Sequence, residues 1–156
     1  MTSSAAPAAN IAALKASPLF AGFTDTGLAI FGGISTPRSY PQGTPLFAEN
    51  MVSDAMLIII DGTVALSVKE GSADHPLGEA GPGDWLGELS LIAVGQRMCT
   101  ATATTPVRAI EIRHADFQKT LALKPQACVK LLMAICKGFG EKVVENKQAL
   151  RSLIHS

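Results

Sequence analysis

Gly83-Asp84-Trp85-Leu86-Gly87-Glu88-Leu89-Ser90-Leu91-Ile92-Ala93-Val94-Gly95-Gln96-Arg97-Met98-Cys99-Thr100-Ala101-Thr102-Ala103 is the stretch on which the fold of this chain turns. Two glycines, Gly83 and Gly87, open it, and a carboxylate, Glu88, follows the second at once. A short apolar turn, Leu89 to Ile92, comes next. Then stand a lone arginine, Arg97, and a run of small residues that alternates as a strand does. A loop that passes into one turn of helix and sets a guanidinium beside it suits an anion. Helix-start N–H groups face it from one side and a charged donor fork from the other. The residues leave a plain alternative, in which Glu88 only complements a helix start and Arg97 pairs with Glu88 or Asp84 as a structural ion pair.

Outward from this stretch, Ile34 to about Ile112 reads as short apolar runs cut by Gly, Pro, Asn and Asp at intervals of roughly eight to twelve residues, the spacing of an all-β sandwich or roll. The strands expected are Ser35–Tyr40, Pro45–Ala48, Ala55–Ile60, Thr63–Lys69, Pro76–Ala80, Cys99–Thr104 and Val107–Ile112. Asp61-Gly62 between two strong runs is a hairpin signal, and Asn50 suits a tight turn with positive φ. Met56-Leu57-Ile58-Ile59-Ile60 is apolar on both faces, so it belongs at the centre of a sheet. Val64 to Lys69 alternates, which leaves one face wetter.

Helices flank the roll. Asn10 is expected to cap a short helix over Ile11 to Leu14, ended by Ser17-Pro18, and Thr24 or Asp25 to cap a second, closed by Gly32-Gly33. After the last strand, His114-Ala115-Asp116-Phe117 starts a helix to Leu123. Pro125 suits the first turn of a longer one reaching about Ile154. On that helix Leu132, Cys136, Phe139, Val143, Asn146, Leu150 and Leu153 keep a heptad spacing with one polar interruption, Asn146. A helix of about 30 residues spans roughly 45 Å, more than a roll of this size covers, so a parallel dimer seam is expected. The fold class is α+β: an antiparallel, jelly-roll-like β-roll flanked by N-terminal helices and a long C-terminal helix. Residues 1–10 are expected to be a disordered tail, 11–123 the roll with its flanking helices, and 124–156 a helix for dimerisation or output.

Composition narrows the function. The chain has 156 residues, 47% apolar and 17% charged, enough for one domain with an aliphatic core. Lys+Arg and Asp+Glu stand at 13 each, without the basic excess of a dedicated nucleic-acid binder. Cys99, Cys128 and Cys136 are odd in number and lack metal-ligand spacing, and are expected to be reduced, buried small hydrophobes in a reducing compartment. His75, His114 and His155 are scattered, so no zinc or catalytic cluster is suggested. No apolar run approaches the ~18 residues of a membrane span, and the N-terminus lacks the basic start of a signal peptide.

Several quoted runs together resemble one family. Leu14-Lys15-Ala16-Ser17-Pro18-Leu19-Phe20 resembles its opening helix and turn, and Leu57-Ile58-Ile59-Ile60-Asp61-Gly62-Thr63-Val64 its central hairpin. Gly81-Pro82-Gly83-Asp84-Trp85-Leu86-Gly87-Glu88-Leu89-Ser90-Leu91, with Arg97 further on, resembles its phosphate-binding cassette. Ile110-Glu111-Ile112-Arg113-His114-Ala115-Asp116-Phe117 resembles its last strand and following helix. The family is the cyclic nucleotide-binding domain of bacterial catabolite activators, protein kinase A regulatory subunits and cyclic-nucleotide-gated channels. The resemblance implies that Arg97 pairs with the cyclic phosphate, that the amides of Leu89 and Ser90 donate to it, that Glu88 accepts from the ribose 2′-OH, and that Gly87 lets the backbone approach.

Three departures stand out. Met98 replaces the Ala, Ser or Thr that usually follows the arginine, and a thioether makes no hydrogen bond to phosphate or guanine; it either crowds the pocket or points at the base. Cys99 replaces a residue that is usually Ala. Lys142 and Val143 stand where catabolite activators carry hydroxyls that read adenine, leaving Glu145 or Asn146 as base readers. The reading is a stand-alone cytoplasmic receptor for a cyclic nucleotide, cAMP more than cGMP, with no cofactor besides that ligand. It is not an enzyme, signals to a separate effector through the C-terminal helix, is homodimeric, and binds neither DNA nor membrane. The helix expected to end near Ser156 leaves no space for a DNA-reading element. The alternative is a dimerisation or adaptor scaffold whose pocket is degenerate and ligand-free, empty or blocked by Met98.

Overall fold

The computed structural model describes residues 7–145 and 147. Three helical pieces lead: α1 (Ala8–Lys15), a 3-10 turn (Pro18–Phe20) and α2 (Asp25–Gly32). Ten strands follow: β1 (Ser35–Tyr40), β2 (Pro45–Phe47), β3 (Val52–Ser53), β4 (Ala55–Asp61), β5 (Val64–Glu70), β6 (Ala73–Ala80), β7 (Trp85–Leu86), β8 (Gly95–Gln96), β9 (Thr100–Ala103) and β10 (Val107–Arg113). A second 3-10 turn, Glu88–Leu91, lies between β7 and β8. Helices α3 (His114–Leu123) and α4 (Pro125–Glu145) close the described chain.

Two four-stranded antiparallel sheets make the roll, one ordered β1-β10-β4-β7 and the other β2-β9-β5-β6, while β3 and β8 pair by themselves. The all-apolar run in β4 explains the layering. Alternate residues of a strand face opposite ways. Met56 and Ile58 join Leu14, Phe31, Leu91, Ile110, Ile112, Phe117, Leu131 and Ile135 in a core under the helices. Leu57 and Ile59 join Phe47, Val64, Ala101, Ala103, Val107 and Ala109 in a second core inside the roll. The alanines of β9 and β10 keep that inner core narrow.

Thr24 caps α2 as expected, its Oγ1 accepting from the Gly27 amide at 3.1 Å. Asn50 turns with φ 71°. Asn10 does not cap α1. The helix begins at Ala8, inside the expected tail, and Asn10 is buried within it. Its amide donates to the Gly32 carbonyl at 3.1 Å and the Ser35 carbonyl at 3.0 Å. A buried side-chain amide needs partners, and the chain leaving α2 offers two carbonyls. The two-residue strands β3, β7 and β8 were not expected, because so short a run has no periodicity to show.

On α4 the stripe packed on the roll is Cys128, Leu131, Ile135 and Gly138. Leu132 packs partly against the same core. The exposed apolar residues of the helix are Val129, Met133, Cys136, Phe139 and Val144. Of the expected seam, Cys136 and Phe139 are therefore exposed and Leu132 is partly buried. Cys136 is thus exposed and Cys99 half-buried, against the expectation that all three thiols are buried. Asn146, Leu150 and Leu153 of the seam, and His155, lie outside the described residues, as do Met1 to Ala6 of the expected tail.

Candidate functional site

The site begins at Gly87, whose φ of 75° is left-handed and comfortable only for glycine among ordinary residues. That turn reverses the chain from β7 into the 3-10 turn Glu88–Leu91. A Cβ at Gly87 would collide with Arg97 Nη1 and lie 3.0 Å from the Ala55 carbonyl oxygen. The missing side chain is thus the space in which the guanidinium lies.

Arg97 reaches that space from the far side of the cassette. Its backbone is pinned to the loop before β3: its amide donates to the Met51 carbonyl at 2.7 Å, and its carbonyl accepts from the Asn50 amide at 2.8 Å. The side chain is 7% exposed, with its guanidinium carbon 4.2 Å from the centre of the Phe47 ring. Nη2 donates to the Ala55 carbonyl at 2.8 Å. Nε and Nη1 are buried and have no hydrogen-bond partner among the described residues. The structural ion pair left open by the sequence is not formed. Asp84 instead accepts from the Gly81 amide at 2.8 Å, and Glu88 lies 3.8 Å from Lys142 Nζ.

Burial pushes the Arg97 guanidinium below its ordinary pKa, while Asp54, Cys99, Glu111 and Tyr40 pull the other way. Burial likewise pushes the Cys99 thiol up, against the pull of Arg97. A protonated thiol does not neutralise the arginine. A buried guanidinium with two idle donors is stable only opposite an anion or strong acceptor.

A cavity of about 450 Å³ has Arg97 in its lining. Gly87, Glu88, Leu89, Ser90, Arg97, Met98 and Cys99 all line it, so the structure gathers the cassette residues singled out in the sequence, while Glu145, expected as a base reader, is not in the lining. Met98 is 79% exposed and stands at the mouth rather than filling the cavity. The Ser90 amide donates to the Gly87 carbonyl at 3.0 Å within the 3-10 turn. In this conformation one of the two amides expected at the anion is therefore engaged locally.

Phe139 of α4 and Ser53 of β3 also line the cavity, and sequence reasoning missed both roles. Phe139 was assigned to the seam by its heptad spacing. Ser53 carried no signal, since its hydroxyl bonds to the hydroxyl of Ser90, distant along the chain. Lys142, placed at a base-reading position by the family comparison, lies near Glu88 and 5.7 Å from the Trp85 ring. The side chain of Val143, and all of Asn146, lie outside the described residues. No group of three or more His, Cys, Asp or Glu that could hold a metal occurs among the described residues.

A β-roll with a buried arginine under a glycine-started turn defines a class of anion-binding regulatory domains. The chain belongs to the cyclic nucleotide-binding domain family, which matches residues 37–123. It is 26% identical to the cyclic AMP receptor protein of Thermus thermophilus, over 85% of this chain and 62% of that protein. It is 29% identical to a CRP-like cAMP-activated global transcriptional regulator of Mycobacterium tuberculosis, over 76% of this chain and 54% of that protein. The N-terminal domain of a transcriptional regulator from Streptomyces coelicolor A3(2) superposes with a TM-score of 0.74 at 29% identity, covering 83% of this chain and 94% of that one. The chain thus spans between about half and two thirds of the length of these curated relatives. The family indicates a cyclic nucleotide as the ligand, and it is a binding family rather than a catalytic one.

Proposed function

We propose that this chain is a non-catalytic cytoplasmic receptor that binds cAMP in preference to cGMP and signals to a separate effector through α4. One observation carries the reading: Arg97, with two buried and unpartnered donors, lines a cavity large enough for a nucleotide. A cyclic phosphodiester bears a single negative charge, which one guanidinium and a few N–H groups satisfy. Glu88 would take the ribose 2′-OH, and Phe139 offers a ring for the base. The preference for cAMP rests on Met98, which lacks a hydroxyl for guanine, and on relatives named for cAMP. Among the described residues no helix is long and apolar enough to cross a membrane. Three unbonded thiols accord with a reducing compartment.

The outward apolar stripe of α4 supports a homodimer through that helix. The alternative, a dimerisation or adaptor scaffold with a degenerate, ligand-free pocket, is weakened by the 79% exposure of Met98, which leaves the cavity open. Calorimetric titration of the wild type and Arg97→Ala with cAMP and cGMP tests the receptor. Wild type should bind cAMP more tightly, and Arg97→Ala should lose about 1.5–3 kcal/mol of binding energy, the worth of a charged hydrogen bond. No heat from either nucleotide on the wild type would sink the reading.

A further inference from the structure

We propose that His114 and Gln118 of α3 are positioning residues of the nucleotide site, clamping the cassette turn in place from behind without touching the ligand. This rests on the receptor reading for its functional meaning. The four-residue 3-10 turn Glu88–Leu91 is too short to hold its own shape. Its first carbonyls are used internally: Gly87 accepts from Ser90, and Leu89 accepts from both Ile92 and Ala93, at 3.0 Å each. The next two carbonyls, of Ser90 and Leu91, belong to fully buried residues and need donors from elsewhere.

Both donors come from one helix face. His114 Nδ1 lies 2.8 Å from the Ser90 carbonyl oxygen, and Gln118 Nε2 donates to the Leu91 carbonyl at 3.0 Å. A carbonyl only accepts, so Nδ1 carries the proton. Residues four apart on a helix are neighbours on its surface, and they meet successive carbonyls of the turn.

The helix is itself anchored to the strand that serves the rest of the site. The Ser53 hydroxyl bonds to that of Ser90, the Asp54 carbonyl accepts from the His114 amide at 2.8 Å, and the Ala55 carbonyl accepts from Arg97 Nη2 at 2.8 Å. Three successive residues therefore tie the turn, the start of α3 and the arginine to one segment. The clamp fixes the turn's angle about that segment, and hence where its amides and Glu88 stand relative to Arg97.

The test compares wild type, His114→Asn, His114→Phe and Gln118→Met as full chains. Affinity for cAMP is read by calorimetry well below each variant's unfolding midpoint, and amide exchange over residues 87–93 is read without ligand. His114→Phe keeps the ring and loses the donor. His114→Asn offers an amide nitrogen near the place of Nδ1. His114→Phe and Gln118→Met should each weaken cAMP binding about five- to tenfold and speed exchange at Ile92 and Ala93, the loss expected when a buried carbonyl goes unpaired. His114→Asn should stay within about twofold of wild type on both. Wild-type affinity in His114→Phe with only a lowered midpoint would reduce the contact to a structural one and overturn the proposal. So would a His114→Asn as impaired as His114→Phe. Should His114→Phe not fold, Gln118→Met decides on the same two readings. If wild type binds neither cAMP nor cGMP, the receptor reading fails by itself, and unchanged exchange in Gln118→Met would then overturn the clamp.

Discussion

At the scale of single residues, the site depends on a glycine and an arginine sharing one volume. Gly87→Ala forces a Cβ into the place of Arg97 Nη1 and puts an L side chain at φ 75°. The left-handed backbone alone costs about 1–2 kcal/mol, and the displaced guanidinium loses its bond to the Ala55 carbonyl. Gly87→Ala should therefore lower both the unfolding midpoint and cAMP affinity, the latter by more than tenfold, as thermal denaturation and calorimetry would show. A midpoint shift with wild-type affinity would mean that the guanidinium does not need that space. Arg97→Lys separates charge from shape. An ammonium keeps the charge but loses the fork, so binding should fall nearly as far as in Arg97→Ala. These residues were legible because a glycine, a carboxylate and an arginine sit within one short stretch. Ser53 and His114 were not, because a serine in a two-residue strand and a lone histidine gain meaning only through partners 37 and 24 positions away.

At the scale of elements, α4 does two things with two faces. Its inner face holds the cassette: a Cβ at Gly138 would come within 2.9 Å of Trp85 Cζ2, so the helix crosses directly over the ring. Trp85 is the single tryptophan of the chain. Gly138→Ala should shift Trp85 emission in the absence of ligand, and an unchanged spectrum would show that the ring does not feel the helix. The outer face presents Val129, Met133, Cys136 and Val144. Met133→Glu should turn a sedimenting dimer into a monomer while cAMP binding persists. Mild oxidation should yield a disulfide-linked dimer that Cys136→Ser abolishes, since parallel helices bring like residues together across the axis. A monomer in the wild type at all concentrations would refute the pairing. The heptad count found the helix but not what its stripe meets. Leu132 and Phe139 keep the spacing of a seam, yet the roll claims the first for its core and the cavity takes the second. Periodicity reports that a face is apolar and leaves open what covers it.

At the scale of the whole molecule, the decisive feature is β4, which serves both cores at once. This was readable, since a run apolar on both faces fits only a central strand. The pairing that makes two sheets of it was not, because sheet order depends on contacts between distant residues. The two cores share this strand, so the helices and the roll should unfold together. Leu57→Ala opens the inner core and Ile58→Ala the helix-side core, and each should cost about 2–5 kcal/mol. Trp85 emission and far-ultraviolet circular dichroism should then report one coincident transition in both variants. Two separated transitions would show that the helices melt off an intact roll. The candidate site straddles the same junction, lined by Phe47 of the inner core and by Phe139 of α4, the helix whose Leu131 and Ile135 belong to the helix-side core. Bound cAMP should therefore stabilise the unit as a whole. At a hundredfold excess over Kd, linkage gives about 2.7 kcal/mol, or roughly 5–10 °C in Tm for a chain of this size. At the same ligand concentration the shift should fall by about half or more in Arg97→Ala. In Leu57→Ala and Ile58→Ala alike it should survive, because those truncations weaken the two cores without removing the anion's partner.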